Sequence, residues 1–72
     1  MSVFDEIAET IVVTRKRKSL TQENLALECE ISVSYLRLIE HGDANPTINE
    51  LSKIAKALNI KLQNPFELED VV

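Results

Sequence analysis

The sequence predicts an all-α fold, a compact five-helix domain that occupies residues 1–72 as one unit. Apolar residues recur at intervals of three and four along successive segments, which gathers them on one face of a helix. A Ser, Thr or Asn precedes each segment, where its side-chain oxygen can accept from the free amides of a first helical turn. No segment supports a strand, and a chain of this length buries only about 60% of its unfolded surface, enough for one small core.

Ser2 caps the first helix, whose apolar positions Phe4, Ile7, Ala8, Ile11 and Val12 carry the pattern to about Lys18. Thr21 caps the second, roughly Gln22 to Cys29, with Leu25, Ala26 and Cys29 on one face. Ser32 caps the third, about Val33 to His41, with Leu36 and Ile39 on one side and Tyr35 flanking. Gly42 then supplies a left-handed stop. Thr47-Ile48-Asn49-Glu50 has the S/T-x-x-E form in which the Thr and Glu side chains satisfy each other's backbone amides, and it opens a fourth helix with Ile48, Leu51, Ile54, Ala55 and Leu58 inward. Asn64-Pro65-Phe66-Glu67 offers a cap, a proline at the first helical position and a Glu at the third, the start of a short fifth helix ending near Asp70.

Composition excludes several classes of function. No apolar run approaches the roughly 20 residues that span a bilayer, so no membrane association is expected. The opening MSVFDEIAET lacks the basic start and apolar stretch of a secretion signal, so a cytoplasmic protein is expected. Cys29 is the one cysteine and cannot close an internal disulfide; with a single His beside it, no metal site is expected. Catalysis has no support either, because the chain has no Gly-rich phosphate loop, no Cys or Ser paired with His in a motif and no recognisable carboxylate pocket. The protein is read as a non-enzyme without cofactor or small-molecule ligand. Net charge is −4, yet Arg15, Lys16, Arg17 and Lys18 stand together while acids gather at Asp5, Glu6, Glu9 and at Glu67, Glu69, Asp70. A folded molecule could carry one basic and one acidic face, although such a run equally suits a solvated helix end.

Between the second and third helices only Glu30 and Ile31 remain, which suits the roughly 90–120° crossing of a helix-turn-helix spanning about 22–41. The spacing Thr21-Gln22-Glu23-x-Leu25-Ala26, Ile31-Ser32-x-Ser34-x-Leu36-x-x-Ile39-Glu40-x-Gly42, Asn45-Pro46-Thr47 and Leu51-x-x-Ile54-Ala55-x-Ala57-Leu58 resembles the lambda-repressor-like, Cro/C1-type (XRE) helix-turn-helix family over about Arg15 to Leu62. The resemblance implies that the third helix enters the major groove of DNA with its N-terminal half. Gln22 aligns with a glutamine whose amide bridges a phosphate and the recognition helix. Ser32 would cap that helix and reach a phosphate, while Val33, Ser34, Arg37 and Leu38 would face bases, Arg37 by gripping O6 and N7 of guanine. Tyr35 would lie against the sugar-phosphate backbone, or pack its ring on the helix pair with its hydroxyl in water. His41 and Asn45 would approach phosphates, and Arg15 with Glu40 would form a partly buried salt bridge. Several positions depart from the common pattern: Glu30 where Gly is usual, Asp43 where a basic residue is frequent, His41 where Arg or Lys is frequent, Val33 and Leu38 where polar or basic residues are commoner, and Cys29 where an aliphatic core residue is usual.

The resulting expectation is a sequence-specific regulator of transcription, a repressor in most such cases, that binds double-stranded DNA as a homodimer on a palindrome. Leu62, Phe66 and Leu68 of the fifth-helix region are the expected dimer contact. The alternative is a protein-interaction module of the same fold, an antitoxin-like partner with weak or no DNA binding, suggested by the net charge, Asp43 and the outward Leu27 and Leu38.

Overall fold

The computed structural model describes residues 2–64 and 67–70, with side chains through Ile60. Helices α1 (Val3–Arg17), α2 (Gln22–Cys29), α3 (Val33–Glu40) and α4 (Ile48–Leu58) are followed by strands β1 (Ile60–Asn64) and β2 (Glu67–Asp70). The helical class holds and the fifth helix does not. In its place β1 and β2 pair antiparallel, with Ile60 opposite Asp70, Leu62 opposite Leu68 and Asn64 opposite Glu67. Apolar and polar residues alternate in Ile60-Lys61-Leu62-Gln63 and again in Phe66-Glu67-Leu68-Glu69, a period of two that suits a hairpin. The Asn-Pro pair between them is a turn signal as well as a helix start. Of the expected dimer contacts, Leu62 and Leu68 therefore belong to strands, and Phe66 lies outside the described residues.

The helices begin where their caps stand. Ser2, Thr21, Ser32 and Thr47 each accept a backbone N–H three residues on, from Asp5, Asn24, Tyr35 and Glu50. Asp5 and Glu50 return the bond to the cap backbone, closing a capping box on α1 as well as on α4. Helix ends are equally uniform. Ser19, Glu30, Gly42 and Asn59 all take left-handed conformations, with φ between 56° and 76°. Behind α1, α2 and α3 the next N–H reaches back five residues, from Leu20 to Arg15, Ile31 to Ala26 and Asp43 to Leu38, which satisfies a terminal carbonyl and turns the chain sharply.

Among the described residues twelve buried ones form one core: Ile7 and Ile11 of α1, Leu25, Ala26 and Cys29 of α2, Leu36 and Ile39 of α3, Leu51, Ile54, Ala55 and Leu58 of α4, and Ile60. α2 packs on α3 and α4, and α1 covers α3 and α4 from the other side. Ile48, expected inward, is 49% exposed because it is the first residue of α4, a turn ahead of the stripe that begins at Leu51. Cys29 fills a core position as a small apolar group, and burial, then the charge of Glu28, pushes its thiol up to about 11. It should resist thiol reagents in the native state and react fast only on unfolding; native labelling at the unfolded rate would contradict this placement.

Two left-handed positions make opposite predictions. A Cβ at Gly42 would fall on the Asp5 carboxylate, so the first turn of α1 lies directly over the loop after α3. Gly42→Ala should lower the unfolding free energy by about 2 kcal/mol, from backbone strain and displacement of that carboxylate. Glu30 tolerates φ 58° without being glycine, so Glu30→Gly should stabilise by about 0.5–1 kcal/mol once the extra chain entropy of glycine is subtracted. Urea denaturation of the two variants measures both.

Candidate nucleic-acid interface

Helical spacing divides α3 between core and solvent. Leu36 and Ile39 point inward, whereas Ser34, Arg37, Leu38 and His41 follow the i, i+3, i+4, i+7 rule and are all exposed. Val33 is half-buried and packs against the core, since its spacing of three places it with Leu36 rather than with Ser34. Its side chain is thus shared between core and surface. Ser32 is exposed at the helix start, but its hydroxyl already accepts from the Tyr35 amide. Asn45 is exposed in the loop beyond α3, and its neighbours Ala44 and Pro46 are tucked in.

The exposed stripe is tied to the body of the domain by one buried ion pair. Arg15 Nε donates to Glu40 Oε2 at 2.8 Å and Nη2 donates to Oε1 at 3.1 Å, a two-pronged contact between the C-terminal turn of α1 and the last residue of α3. The side chains are only 11% and 3% exposed. Arg15 Nη1 also donates to the Leu20 carbonyl at 2.9 Å, which fastens the α1–α2 turn to the same guanidinium. On its other side Glu40 Oε1 accepts from Gln22 Nε2 at 2.9 Å, and Gln22 Oε1 accepts from Arg37 Nε at 3.3 Å. Arg15, Glu40, Gln22 and Arg37 are therefore brought together, and no described buried side-chain N or O is left without a partner. Lys16 and Lys18 remain exposed on α1 and in the turn after it.

The Tyr35 hydroxyl is not left to water. It donates to Glu50 Oε1 at 2.7 Å, the same oxygen that accepts the Thr47 backbone N–H, and so pins the start of α4 to α3. This bond, between residues 15 apart in sequence, was hidden behind the local capping-box reading of Glu50. The bond to Glu50, followed by burial and the carboxylate's charge, raises the Tyr35 pKa above its ordinary value. The Thr47 amide and then the Tyr35 hydroxyl hold Glu50 below the usual carboxylate range. A second long-range neighbour without a local signal in the sequence is Asp5, whose carboxylate lies against Gly42 and adds negative charge at the start of the loop after α3. No group of His, Cys, Asp and Glu that could hold a metal occurs among the described residues, and none of the described helices is long and apolar enough to cross a membrane.

Two outcomes follow from these bonds. Arg15→Ala leaves the Glu40 carboxylate buried without its cation and should cost about 3–5 kcal/mol; a variant that melts like the parent would contradict the pairing. Tyr35→Phe should raise the Glu50 pKa toward the ordinary carboxylate value, read by NMR titration. Because that pKa is depressed in the folded state, the stability it contributes is present above the ordinary value and is lost as pH falls through the folded value. Tyr35→Phe should flatten this acid limb.

The sequence model of the helix-turn-helix family matches residues 14–63 of the chain. Among curated proteins, the HTH-type transcriptional regulator SlrR of Bacillus subtilis is 36% identical over 67 residues, covering 92% of this chain and 44% of that protein. The immunity repressor protein of Bacillus phage phi105 is 38% identical over 56 residues, covering 78% of this chain and 39% of its own length. The control protein C.BamHI of Bacillus amyloliquefaciens is 36% identical over 45 residues, or 62% of this chain and 56% of that protein. The chain thus spans about half the length of these relatives. No solved structure matches it significantly. With two capped helices joined at Glu30 and Ile31 and the family match enclosing both, the chain belongs to the lambda-repressor-like, Cro/C1-type helix-turn-helix family.

Proposed function

We propose that the protein is a transcriptional regulator that binds double-stranded DNA as a homodimer on a palindromic site, with α3 in the major groove. The observation that carries this reading is the exposed stripe Ser34, Arg37, Leu38 and His41 on a helix anchored by a buried ion pair. Ser34 and Arg37 supply hydrogen bonds to base edges, and Leu38 supplies an apolar contact for a thymine methyl. Gln22, Ser32, Tyr35, His41 and Asn45 flank the stripe and fit the sugar-phosphate backbone, which positions a reading helix without selecting sequence. Val33, half-buried, offers a smaller surface to a base than its exposed neighbours. The similarity to a transcriptional regulator, an immunity repressor and a control protein favours regulation over other uses of the fold. One recognition helix covers only a few base pairs, so a useful site needs two copies about one helical turn apart.

Acidic groups near the loop set the expected strength. Asp43 is exposed, Asp5 lies beside Gly42 and the net charge is −4, so few phosphates are neutralised, binding should be modest, and its salt dependence should be shallower than that of a basic domain. Electrophoretic titration with random duplex at low salt should give binding at micromolar protein or tighter, since nonspecific constants fall at about 10⁻⁴–10⁻⁶ M at physiological salt. Selection from a random duplex pool should then return a two-fold symmetric site, and Arg37→Ala should cost about 1–3 kcal/mol at one base pair of each half-site. Absence of binding at tens of micromolar protein would favour the protein-interaction reading, for which Leu27, 78% exposed on α2, is the most exposed large apolar group among the described residues.

A further inference from the structure

We infer that Gln22 controls base selectivity through Arg37, as a positioning residue whose own orientation is dictated by Glu40; this rests on the reading of α3 as the base-contacting helix. The chemistry of the three groups leaves no freedom of assignment. A carboxylate only accepts hydrogen bonds and a guanidinium only donates them, so an amide between the two fits one way. Its NH₂ must face Glu40 Oε1, at 2.9 Å, and its carbonyl oxygen must face Arg37 Nε, at 3.3 Å. Glu40 cannot turn to suit Gln22, because Arg15 grips both of its oxygens from the opposite side. Three successive contacts thus run from the buried end of α1 to an exposed side chain on α3.

The consequence concerns which Arg37 nitrogens meet DNA. With Nε engaged by Gln22, the two terminal nitrogens are left for a partner, and a pair of parallel donors matches O6 and N7 of guanine. An arginine freed from Gln22 keeps its charge but samples other rotamers and phosphate contacts, which carry no sequence information. Gln22 retains one further N–H, so a phosphate contact of its own is a separable role. A phosphate role would strengthen every sequence alike, whereas positioning acts only at the base pair read by Arg37.

The test is a double-mutant cycle on selectivity. Gln22→Met keeps the length of the side chain and removes both hydrogen bonds. Parent, Gln22→Met, Arg37→Ala and the double variant are each titrated with the selected duplex and with the duplex altered at the base pair that Arg37→Ala identifies. Arg37→Ala should reduce discrimination at that pair on the order of tenfold. Gln22→Met should reduce it roughly threefold or more at the same pair, and should change it no further once Arg37 is absent. Should Gln22→Met fail to fold by circular dichroism, Gln22→Asn, which keeps the amide but is one methylene too short to span Glu40 and Arg37, makes the same comparison. Uniform weakening on both duplexes with discrimination intact would overturn the positioning role alone. A parent that binds no duplex would instead defeat the DNA reading, and the positioning role with it.

Discussion

The ion pair between Arg15 and Glu40 is the constraint on which the rest of the domain depends. It joins the last turn of α1 to the last residue of α3 at 2.8 Å in a nearly water-free setting, while the same guanidinium holds the α1–α2 turn through the Leu20 carbonyl. Buried ion pairs contribute little net stability, because removing two charges from water costs about as much as their attraction returns. What such a pair supplies here is geometry. A two-pronged contact permits one relative orientation of carboxylate and guanidinium, and therefore of the helices that carry them.

Around that contact the core is plain. Leu25, Leu36, Ile39, Leu51, Ile54 and Leu58 are completely or almost completely buried and could tolerate several helix angles of similar area. Directional bonds remove that freedom at each end of α3. Glu40 fixes the C-terminal end to α1 and α2, and Tyr35 fixes the N-terminal half to Glu50 at the start of α4. Left-handed residues at Ser19, Glu30 and Gly42 set the turns that bring these partners within reach. The outward stripe of α3 is then presented as a rigid surface, and its four exposed side chains inherit their direction from contacts on the other face of the helix.

Local rules made most of this legible in the sequence. The caps Thr21, Ser32 and Thr47, the stop at Gly42 and the apolar stripes located α2, α3 and α4 closely, because each signal lies within one turn of the feature it specifies. The Arg15–Glu40 pair was reached through family resemblance, since nothing in local spacing links residues 25 apart. Tyr35 with Glu50 and Asp5 with Gly42 carry no such signal and depend on the packed arrangement, whereas the resemblance set Gln22 against the recognition helix without naming Glu40 as its partner there. Asn64-Pro65-Phe66-Glu67 satisfies the chemistry of a helix start, and only the period of two in the flanking residues separates a hairpin at β1 and β2 from a fifth helix. Val33 stands between the two sides of α3, half-buried at a spacing of three from Leu36 and packed on the core.

The buried pair serves orientation rather than stability, and replacing both partners at once separates the two roles. Arg15→Met with Glu40→Met leaves net charge unchanged, avoids an orphaned buried charge and fills the site with apolar side chains. Its thermal unfolding and its preference for the selected duplex over random duplex are measured side by side with the parent. The double variant should melt within a few degrees of the parent yet lose on the order of tenfold or more in preference. Full retention of the parent's preference would overturn the orienting role of the pair.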